Sequence, residues 1–217
     1  MKLLGKLYIL GALVFTPLSV VADEWLRSIP DFQLTDHLGV MHQLDDYKTY
    51  DYVVFYVHGV GCPIARIALP NYREVRDTYA NKNIGFSMFN SNIQDDLPRI
   101  AKEAQEFSID FPIIKDEGQK IARALGVERT AEVFVVNPRT QEVLFRGPVN
   151  DQVGYETQRV NASEHYLKDA LDIIMAGGTI NTDDMPDSKG CLVAVSYTHL
   201  RAHETRHDIV CRLLLEK

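Results

Sequence analysis

Apolar and polar positions divide the chain into short segments with two different periods. The segment from Tyr52 to Val57 is continuously apolar and rich in β-branched and aromatic residues, which predicts a buried strand, and Ile84 to Asn90 predicts a second one. Between them, from Pro63 to Tyr79, apolar residues recur on one stripe and predict a helix. Phe32 to Leu44 alternates around the turn residues Asp36 to Gly39, which predicts a β-hairpin.

The same two periods continue through the second half of the chain. They predict helices at 95–107, 118–127 and 164–175, and strands at 111–116, 132–138 and 142–147. The last two strands are joined by the turn sequence 137–140. Alternating strands and helices that end in a hairpin predict one α/β domain, with a central mixed β-sheet flanked by helices and an N-terminal β-hairpin. The acidic pairs of the 95–107 helix are predicted to form a solvated face; they are Asp95, Asp96, Glu103 and Glu106.

Cys62 stands where the first buried strand passes through a tight turn into a helix. The strand is followed by Gly59-Val60-Gly61, and Pro63 suits the first position of a helix. The sulfur is then expected to face the positive end of the helix dipole and unpaired backbone N–H groups, which lower the pKa of a thiol. Arg66, one turn later, adds a positive charge on the same face. This arrangement predicts a reactive cysteine, and the alternative is an inert buried thiol.

The first 22 residues have the features of a secretory signal peptide. Lys2 and Lys6 precede the apolar segment 7–21, and small residues end at Ala22 before a predicted mature start at Asp23. The apolar segment is short for a transmembrane helix, and an uncleaved anchor is the alternative. We therefore expect a periplasmic or secreted protein, without a stable membrane span after cleavage, whose folded domain covers residues 23–193.

The last 24 residues, 194–217, have a different predicted origin. The segment Val195 to Thr205 can be written in codons that resemble a common transposase sequencing adapter, and 210–217 resembles the primer sequence beyond it. We interpret residues 194–217 as a translated adapter and exclude them, with Cys211, from the domain. A genuine amphipathic helix is the alternative. Cys62 and Cys191 then remain, and in an exported chain this pair is open to a disulfide.

Several separated blocks of the sequence resemble the thioredoxin superfamily, and within it the redoxin branch of AhpC/TSA proteins and their periplasmic relatives. The resemblance runs from about Ile29 to Val193. The blocks are "GCPIARIALPNYREV", "IGFSMFNSNIQDD", "FPIIKDEGQKIARALGVERTAEVFVVNP", "FRGPVNDQVGYETQR" and "DSKGCLV". It implies a thioredoxin-like fold and a periplasmic thiol-based oxidoreductase without a cofactor or a metal.

The chain departs from the patterns of this superfamily at three positions. Thioredoxins carry a second cysteine where this chain has Ala65, and typical peroxiredoxins carry threonine or serine where it has Gly59. Close relatives have a cis-proline facing the reactive cysteine, where this chain reads Thr130-Ala131. A trans bond is expected there, because a cis bond before alanine costs about 3–4 kcal/mol. The resemblance implies a substrate groove formed by Gly61, Pro63, Thr130 and Ala131.

Cys191 is the predicted resolving thiol. It lies in a glycine-containing segment after the last predicted helix, which we expect to be flexible enough to bring it to Cys62. Cys62 is then the nucleophile, and Arg66 with the backbone N–H groups of the helix start stabilises the thiolate. The alternatives for Cys191 are a structural disulfide or an idle thiol. The expected partners are a thiol reductant and a substrate that is either a hydroperoxide or a protein disulfide, and the sequence does not choose between these substrates.

A second hypothesis is a non-catalytic redoxin-fold module that binds a partner or a metal. Similar redoxin domains in some bacteria continue into a c-type haem or copper monooxygenase domain. Copper-carrying relatives pair two cysteines with a histidine, and the second of these cysteines is absent here, so His58 is expected to be solvated or hydrogen-bonded. The net charge of −7 and the lack of any lysine or arginine run argue against a nucleic-acid partner.

Overall fold

The computed structural model describes residues 28–154 and 158–194, without the side chain of Asp183. The predicted signal peptide and nearly all of the predicted adapter-derived tail lie outside these residues. Within them, no helix is both long and apolar enough to cross a membrane.

The strands form a small hairpin and a mixed main sheet. They are β1 (Gln33–Thr35), β2 (Met41–Gln43), β3 (Tyr52–Val57), β4 (Ile84–Asn90), β5 (Ile113–Lys115), β6 (Glu132–Val136) and β7 (Val143–Pro148). The main sheet has the order β5-β4-β3-β6-β7, with β3, β4 and β5 parallel and β6 and β7 antiparallel to their neighbours. β1 and β2 pair as the N-terminal hairpin, and Gly39 takes the positive φ of its turn. The predicted architecture is confirmed.

The helices cover the sheet as their apolar stripes predict. They are α1 (Pro63–Thr78), α2 (Leu97–Glu106), α3 (Lys120–Leu125) and α4 (Tyr166–Met175). Asp96 caps α2 by accepting a hydrogen bond from the Arg99 N–H at 2.9 Å, and Gly126 ends α3 in the left-handed conformation. Both boundaries follow from local sequence alone.

Strand β3 separates two hydrophobic clusters because its side chains alternate between the faces of the sheet. Val54 and Tyr56 pack with apolar residues of α1, α2 and α4 on one face. Val53, Phe55 and Val57 pack with α3 and with residues 44–47 on the other. Buried on both faces, β3 is a fixed support for the turn that follows it.

Candidate active site

The turn after β3 places Cys62 at the start of α1. Gly61 adopts φ +79°, which favours glycine, and Pro63 is the first residue of the helix. Cys62 is the N-cap, and its Sγ accepts a hydrogen bond from the Ala65 N–H at 3.4 Å. The residue is only 4% exposed. The sulfur therefore lies at the helix N-terminus, where the dipole favours a negative charge.

Two further donors reach the same sulfur from distant parts of the chain. The Thr130 hydroxyl donates to Cys62 Sγ at 3.0 Å, and the Cys191 N–H lies 3.4 Å from that sulfur. The Cys191 N–H also donates to the Thr130 hydroxyl oxygen at 2.9 Å. The fold thus brings together the predicted nucleophile, the predicted resolving cysteine and one residue of the predicted groove.

The two thiols have opposite pKa shifts. Burial acts to raise the pKa of Cys62, but hydrogen bonds from Cys191, Thr130 and the Ala65 N–H outweigh it, so the pKa lies below its ordinary value. Burial, and then the neighbouring Cys62, raise the pKa of Cys191 to about 11. Both cysteines are free thiols in this structure. The arrangement favours a thiolate on Cys62 and a protonated thiol on Cys191.

Residues 188–194, here called the strap, hold Cys191 in place beside Thr130. The Thr130 N–H donates to the Cys191 carbonyl at 2.9 Å, the Val193 N–H donates to the Glu128 carbonyl at 2.8 Å, and Arg129 pairs with Leu192 as an antiparallel bridge. The segment was expected to be flexible enough to bring Cys191 to Cys62; in this structure it lies along residues 128–130 as a short added strand, with Cys191 already beside Cys62. The contacts that fix it are long-range, and its own sequence does not reveal them.

Glycine is required at two positions that approach Thr130. A Cβ on Gly59 would lie 2.5 Å from Thr130 Cγ2, and a Cβ on Gly190 would lie 1.8 Å from the Thr130 carbonyl oxygen. Both distances are far below van der Waals contact. Thr130 is therefore enclosed between the strap and the turn of residues 59–61. At Ala131 the chain turns with φ +60°, and every peptide bond in the described residues is trans, as expected for Thr130-Ala131.

Arg66 is bound to a carboxylate that was expected to face solvent. Its Nε and Nη2 donate to the two oxygens of Glu103, each at 2.9 Å, and its guanidinium lies 4.0 Å from the centre of the Phe107 ring. The hydrogen bond to Glu103 is the main cause that raises the pKa of Arg66, and Cys62 is a minor one. Arg66 thus lies close enough to Cys62 to interact with its charge, but its hydrogen bonds go to Glu103.

Two acidic residues hold the turn of residues 59–61 by accepting hydrogen bonds from its backbone. Glu103 accepts from the Gly61 N–H at 3.1 Å, and Asp95 accepts from the Val60 N–H at 3.0 Å. Their exposures are only 5% and 2%, so the prediction of a solvated acidic face was wrong for these two residues. Glu103 lies on the same side of α2 as the buried Ile100 and Ala104, and this spacing was the one sequence signal for its burial.

His58, between β3 and the turn, is also buried. Its Nδ1 pairs with Asn90 Nδ2 at 3.1 Å, and its Nε2 has no hydrogen-bond partner within the described structure. Burial lowers the pKa of His58 to about 4, so the ring is neutral at physiological pH. Within the described residues, no group of three or more histidine, cysteine, aspartate or glutamate side chains has the arrangement of a metal site.

Two curated relatives share sequence with this chain. The chain is 27% identical over 130 residues, 60% of its length and 72% of the relative's, to thiol-disulfide oxidoreductase ResA of Geobacillus thermodenitrificans. It is 28% identical over 108 residues to the protein of that name from Geobacillus kaustophilus, and spans 60% of that relative's length.

Two solved structures share the fold. A hypothetical protein from Sinorhizobium meliloti superposes with a TM-score of 0.64 at 22% identity, over 78% of this chain and 93% of that one. An uncharacterized conserved protein from Geobacillus kaustophilus superposes with a TM-score of 0.63, also at 22% identity, over 80% and 93%. The model of the AhpC/TSA family matches residues 26–143, which cover the hairpin, the turn of residues 59–61 with Cys62, and the strands through the start of β7. The chain therefore belongs to the AhpC/TSA family, in the redoxin branch of the thioredoxin superfamily.

Proposed function

We propose that this protein is a thiol oxidoreductase in which Cys62 is the nucleophile and Cys191 is the resolving thiol. The observation that carries the proposal is the convergence of the Thr130 hydroxyl and the Cys191 and Ala65 N–H groups on Cys62 Sγ. Three donors around one sulfur stabilise a thiolate, the form that reacts. The similarity to thiol-disulfide oxidoreductases supports the same chemistry.

With a disulfide substrate, the Cys62 thiolate attacks one sulfur, the substrate S–S bond breaks, and the other substrate sulfur leaves as a thiolate. The Cys191 thiol then loses its proton and attacks Cys62 Sγ, which releases the second substrate thiolate and leaves a Cys62–Cys191 disulfide. The substrate gains two electrons and two protons. A thiol reductant returns two electrons to the protein and closes the cycle.

With a hydroperoxide, the same thiolate attacks the terminal oxygen, the O–O bond breaks, and the alkoxide leaves and takes a proton to become the alcohol. Cys62 becomes a sulfenic acid, and attack by Cys191 forms the same disulfide with release of water. The Thr130 hydroxyl, one of the donors at the sulfur, lies where it can also donate to the attacked oxygen. Glu103 and Asp95 act as positioning residues, because they hold the turn that carries Cys62.

The proposal includes the cellular location of the protein and the bounds of its redoxin domain. The predicted signal sequence in residues 1–22 supports export to the periplasm, and residues 23–193 then form one redoxin domain. A periplasmic fraction that lacks the protein, while a cytoplasmic fraction contains it at full length, would contradict export.

The test is a quenched reaction of the reduced protein with one equivalent of hydrogen peroxide or of a small disulfide. Trapping free thiols with an alkylating reagent and mapping peptides without reduction should show loss of the Cys62 thiol and formation of a Cys62–Cys191 link. In a Cys191→Ser variant, Cys62 should still react and stop at the mixed disulfide or the sulfenic acid. A Cys62 that remains reduced with both oxidants would contradict the enzyme and favour a non-catalytic binding module.

A further inference from the structure

The sulfur of Cys62 is covered by the strap, a later segment of the same chain. Cys62 is 4% exposed, whereas Cys191 and Leu192 lie on the surface, with Leu192 at 69%. The strap crosses the sulfur so closely that the Cys191 N–H lies 3.4 Å from it. A cover of this kind hinders a folded protein that carries a disulfide far more than a small molecule such as hydrogen peroxide, because the folded protein has to bring a whole segment of chain to the sulfur.

The strap is bound in the way that proteins bind extended peptides. It adds to residues 128–130 through main-chain hydrogen bonds at both ends, Thr130 N–H to Cys191 and Val193 N–H to Glu128. The Ser188 hydroxyl donates to the Thr130 carbonyl at 2.8 Å, and Arg129 Nη1 donates to the Gly190 carbonyl at 3.1 Å. Most of these contacts involve the backbone of the strap, so they do not depend on most of its side chains. An extended segment of another protein could make the same main-chain contacts.

The strap also places a cysteine where a substrate cysteine has to be. For Cys62 to exchange with a partner's disulfide, that partner must bring a sulfur to the position next to Cys62 Sγ, and Cys191 occupies this position. The Gly190 backbone lies against the Thr130 carbonyl so closely that no side chain fits between them. The strap and an incoming peptide therefore compete for the backbone of residues 128–130 and cannot both bind it at once.

We propose that the strap occupies the groove in which an extended, cysteine-bearing segment of a partner protein binds, so that the resting protein reacts with small oxidants and excludes protein disulfides until the strap is displaced. This inference rests on the proposed function of Cys62 and adds a selection of substrates to it. It also predicts that displacement of the strap slows the resolution of a mixed disulfide. A strap that leaves residues 128–130 carries Cys191 away from Cys62, and resolution has to wait until the strap returns.

The test compares two oxidants with the same reactive bond and different sizes, hydroxyethyl disulfide and insulin. The rate of loss of the Cys62 thiol is measured for each in the reduced full-length protein, and the ratio of the insulin rate to the small-disulfide rate is the readout. A ratio cancels any change in the intrinsic reactivity of Cys62. Gly190→Ala displaces the strap by steric clash. Ser188→Ala serves if the first variant does not fold; it removes the hydrogen bond to the Thr130 carbonyl and the one accepted from the Gly190 N–H, without a clash. Asp187→Ala, at an exposed residue just before the strap, is the matched control.

In Gly190→Ala we expect the ratio to rise by about tenfold or more, which corresponds to about 1.4 kcal/mol of strap binding, with accumulation of the insulin mixed disulfide. Ser188→Ala should raise it less, and Asp187→Ala should match the wild type. Hydrogen exchange at the Thr130 and Val193 amides reports whether the strap is displaced. A ratio unchanged in a variant with rapidly exchanging amides overturns the inference, as does a raised ratio in a variant with protected amides. A wild-type Cys62 that reacts with neither disulfide nor with peroxide overturns the proposed function, and with it the basis of this inference.

Discussion

The side chain of Thr130 occupies the space that a side chain at residue 59 would need, since a Cβ on Gly59 would lie 2.5 Å from Thr130 Cγ2. The same threonine donates its hydroxyl to Cys62 Sγ at 3.0 Å. Residue 59, where the family resemblance leads one to expect threonine or serine, is glycine, and a hydroxyl reaches Cys62 Sγ from Thr130, in the segment before β6. Gly59 therefore leaves the space for the side chain of Thr130, whose hydroxyl donates to Cys62.

Replacing Thr130 with valine should reduce the reactivity of Cys62. The variant keeps the shape of the side chain and removes the hydroxyl, so the pKa of Cys62 should rise. A hydrogen bond to a charged group contributes about 1.5–3 kcal/mol, so we expect roughly a tenfold or larger fall in the alkylation rate at neutral pH. Thr130→Ser, which keeps the hydroxyl, is the control. The pKa is measured from the ultraviolet absorbance of the thiolate, and equal values in the valine and serine variants would exclude this role.

Gly59→Ala should destabilise the protein, and a second change should relieve it. The new methyl group clashes with Thr130 Cγ2, and overpacking of this kind costs about 1–3 kcal/mol. Adding Thr130→Ser removes Cγ2, so the double variant should recover part of the loss. The free energy of unfolding in urea, measured for both single variants and the double variant, gives the coupling. Strictly additive effects would show that the two side chains do not compete for one space.

Glu103→Gln should loosen the turn of residues 59–61 and make the free energy of unfolding less sensitive to low pH. Burial acts to raise the pKa of Glu103, but Arg66 and the Gly61 N–H outweigh it and lower the pKa. The pKa of this carboxyl group in the unfolded chain is about 4.3. Because the folded pKa is lower, the ionised carboxylate stabilises the fold at pH values above about 4.3, and this stabilisation is lost as the pH falls through the folded pKa. The variant should be less stable at pH 7 by about 1–3 kcal/mol, since Arg66 is partly exposed.

The dependence of stability on pH distinguishes loss of the Glu103 carboxylate from an unspecific destabilisation of the fold. The stability of the wild type should fall more steeply below about pH 4.3 than that of Glu103→Gln, measured by urea unfolding across the acid range. Glu106→Gln, on the same helix, is the control and should keep the wild-type slope. Parallel curves for Glu103→Gln and the wild type would mean that the pKa of Glu103 does not differ between the folded and unfolded states, and this would contradict the lowered pKa.

His58 should make the protein less stable as the pH falls from about 6.5 to about 4. Above this range the ring is neutral in both the folded and the unfolded protein. Below about pH 6.5 the ring of the unfolded chain binds a proton, whereas the buried ring of the folded protein binds one only near its pKa of about 4, so protonation favours the unfolded state. His58→Gln should remove on the order of 2–3 kcal/mol of this pH dependence. Unfolding free energies at several pH values measure it, with His165→Gln as the exposed control. A pH profile unchanged by His58→Gln would contradict the burial of a neutral ring.

Cys191 should become more reactive when Cys62 is removed. Burial is the first cause of its raised pKa, and hydrogen bonding and charge from Cys62 add to it. In Cys62→Ala the second contribution is lost, so the pKa of Cys191 should fall below about 11 and alkylation at neutral pH should be faster. The rate against pH gives the value. A pKa that does not change would show that the two thiols are not coupled, and this would weaken the case for Cys191 as the resolving thiol.

The sequence alone determined the fold and the position of Cys62 within it. Strand β3, the glycine turn and the start of α1 are local features, set by side-chain period, positive φ and a proline at the first helical position, and such features act over a few residues. The order of strands and helices, with a hairpin at the end, then predicted the mixed sheet, and the family resemblance agreed with it. The placement of Cys62 at the N-cap of α1 follows from the same few residues, because the glycine turn ends and the helix begins on either side of it.

Only the tertiary structure decided what surrounds that cysteine. Thr130 and Cys191 contact its sulfur from 68 and 129 residues away in the chain, and Glu103 reaches Arg66 across 37 residues. Charged residues such as Glu103 are mostly exposed, so composition predicted solvent where the fold provides a partner. The strap looked flexible for a similar reason, because glycine and polar residues signal a loop unless a distant edge binds their backbone. Local rules determine how a segment folds, whereas burial and pairing depend on which distant segments the folded chain brings beside it.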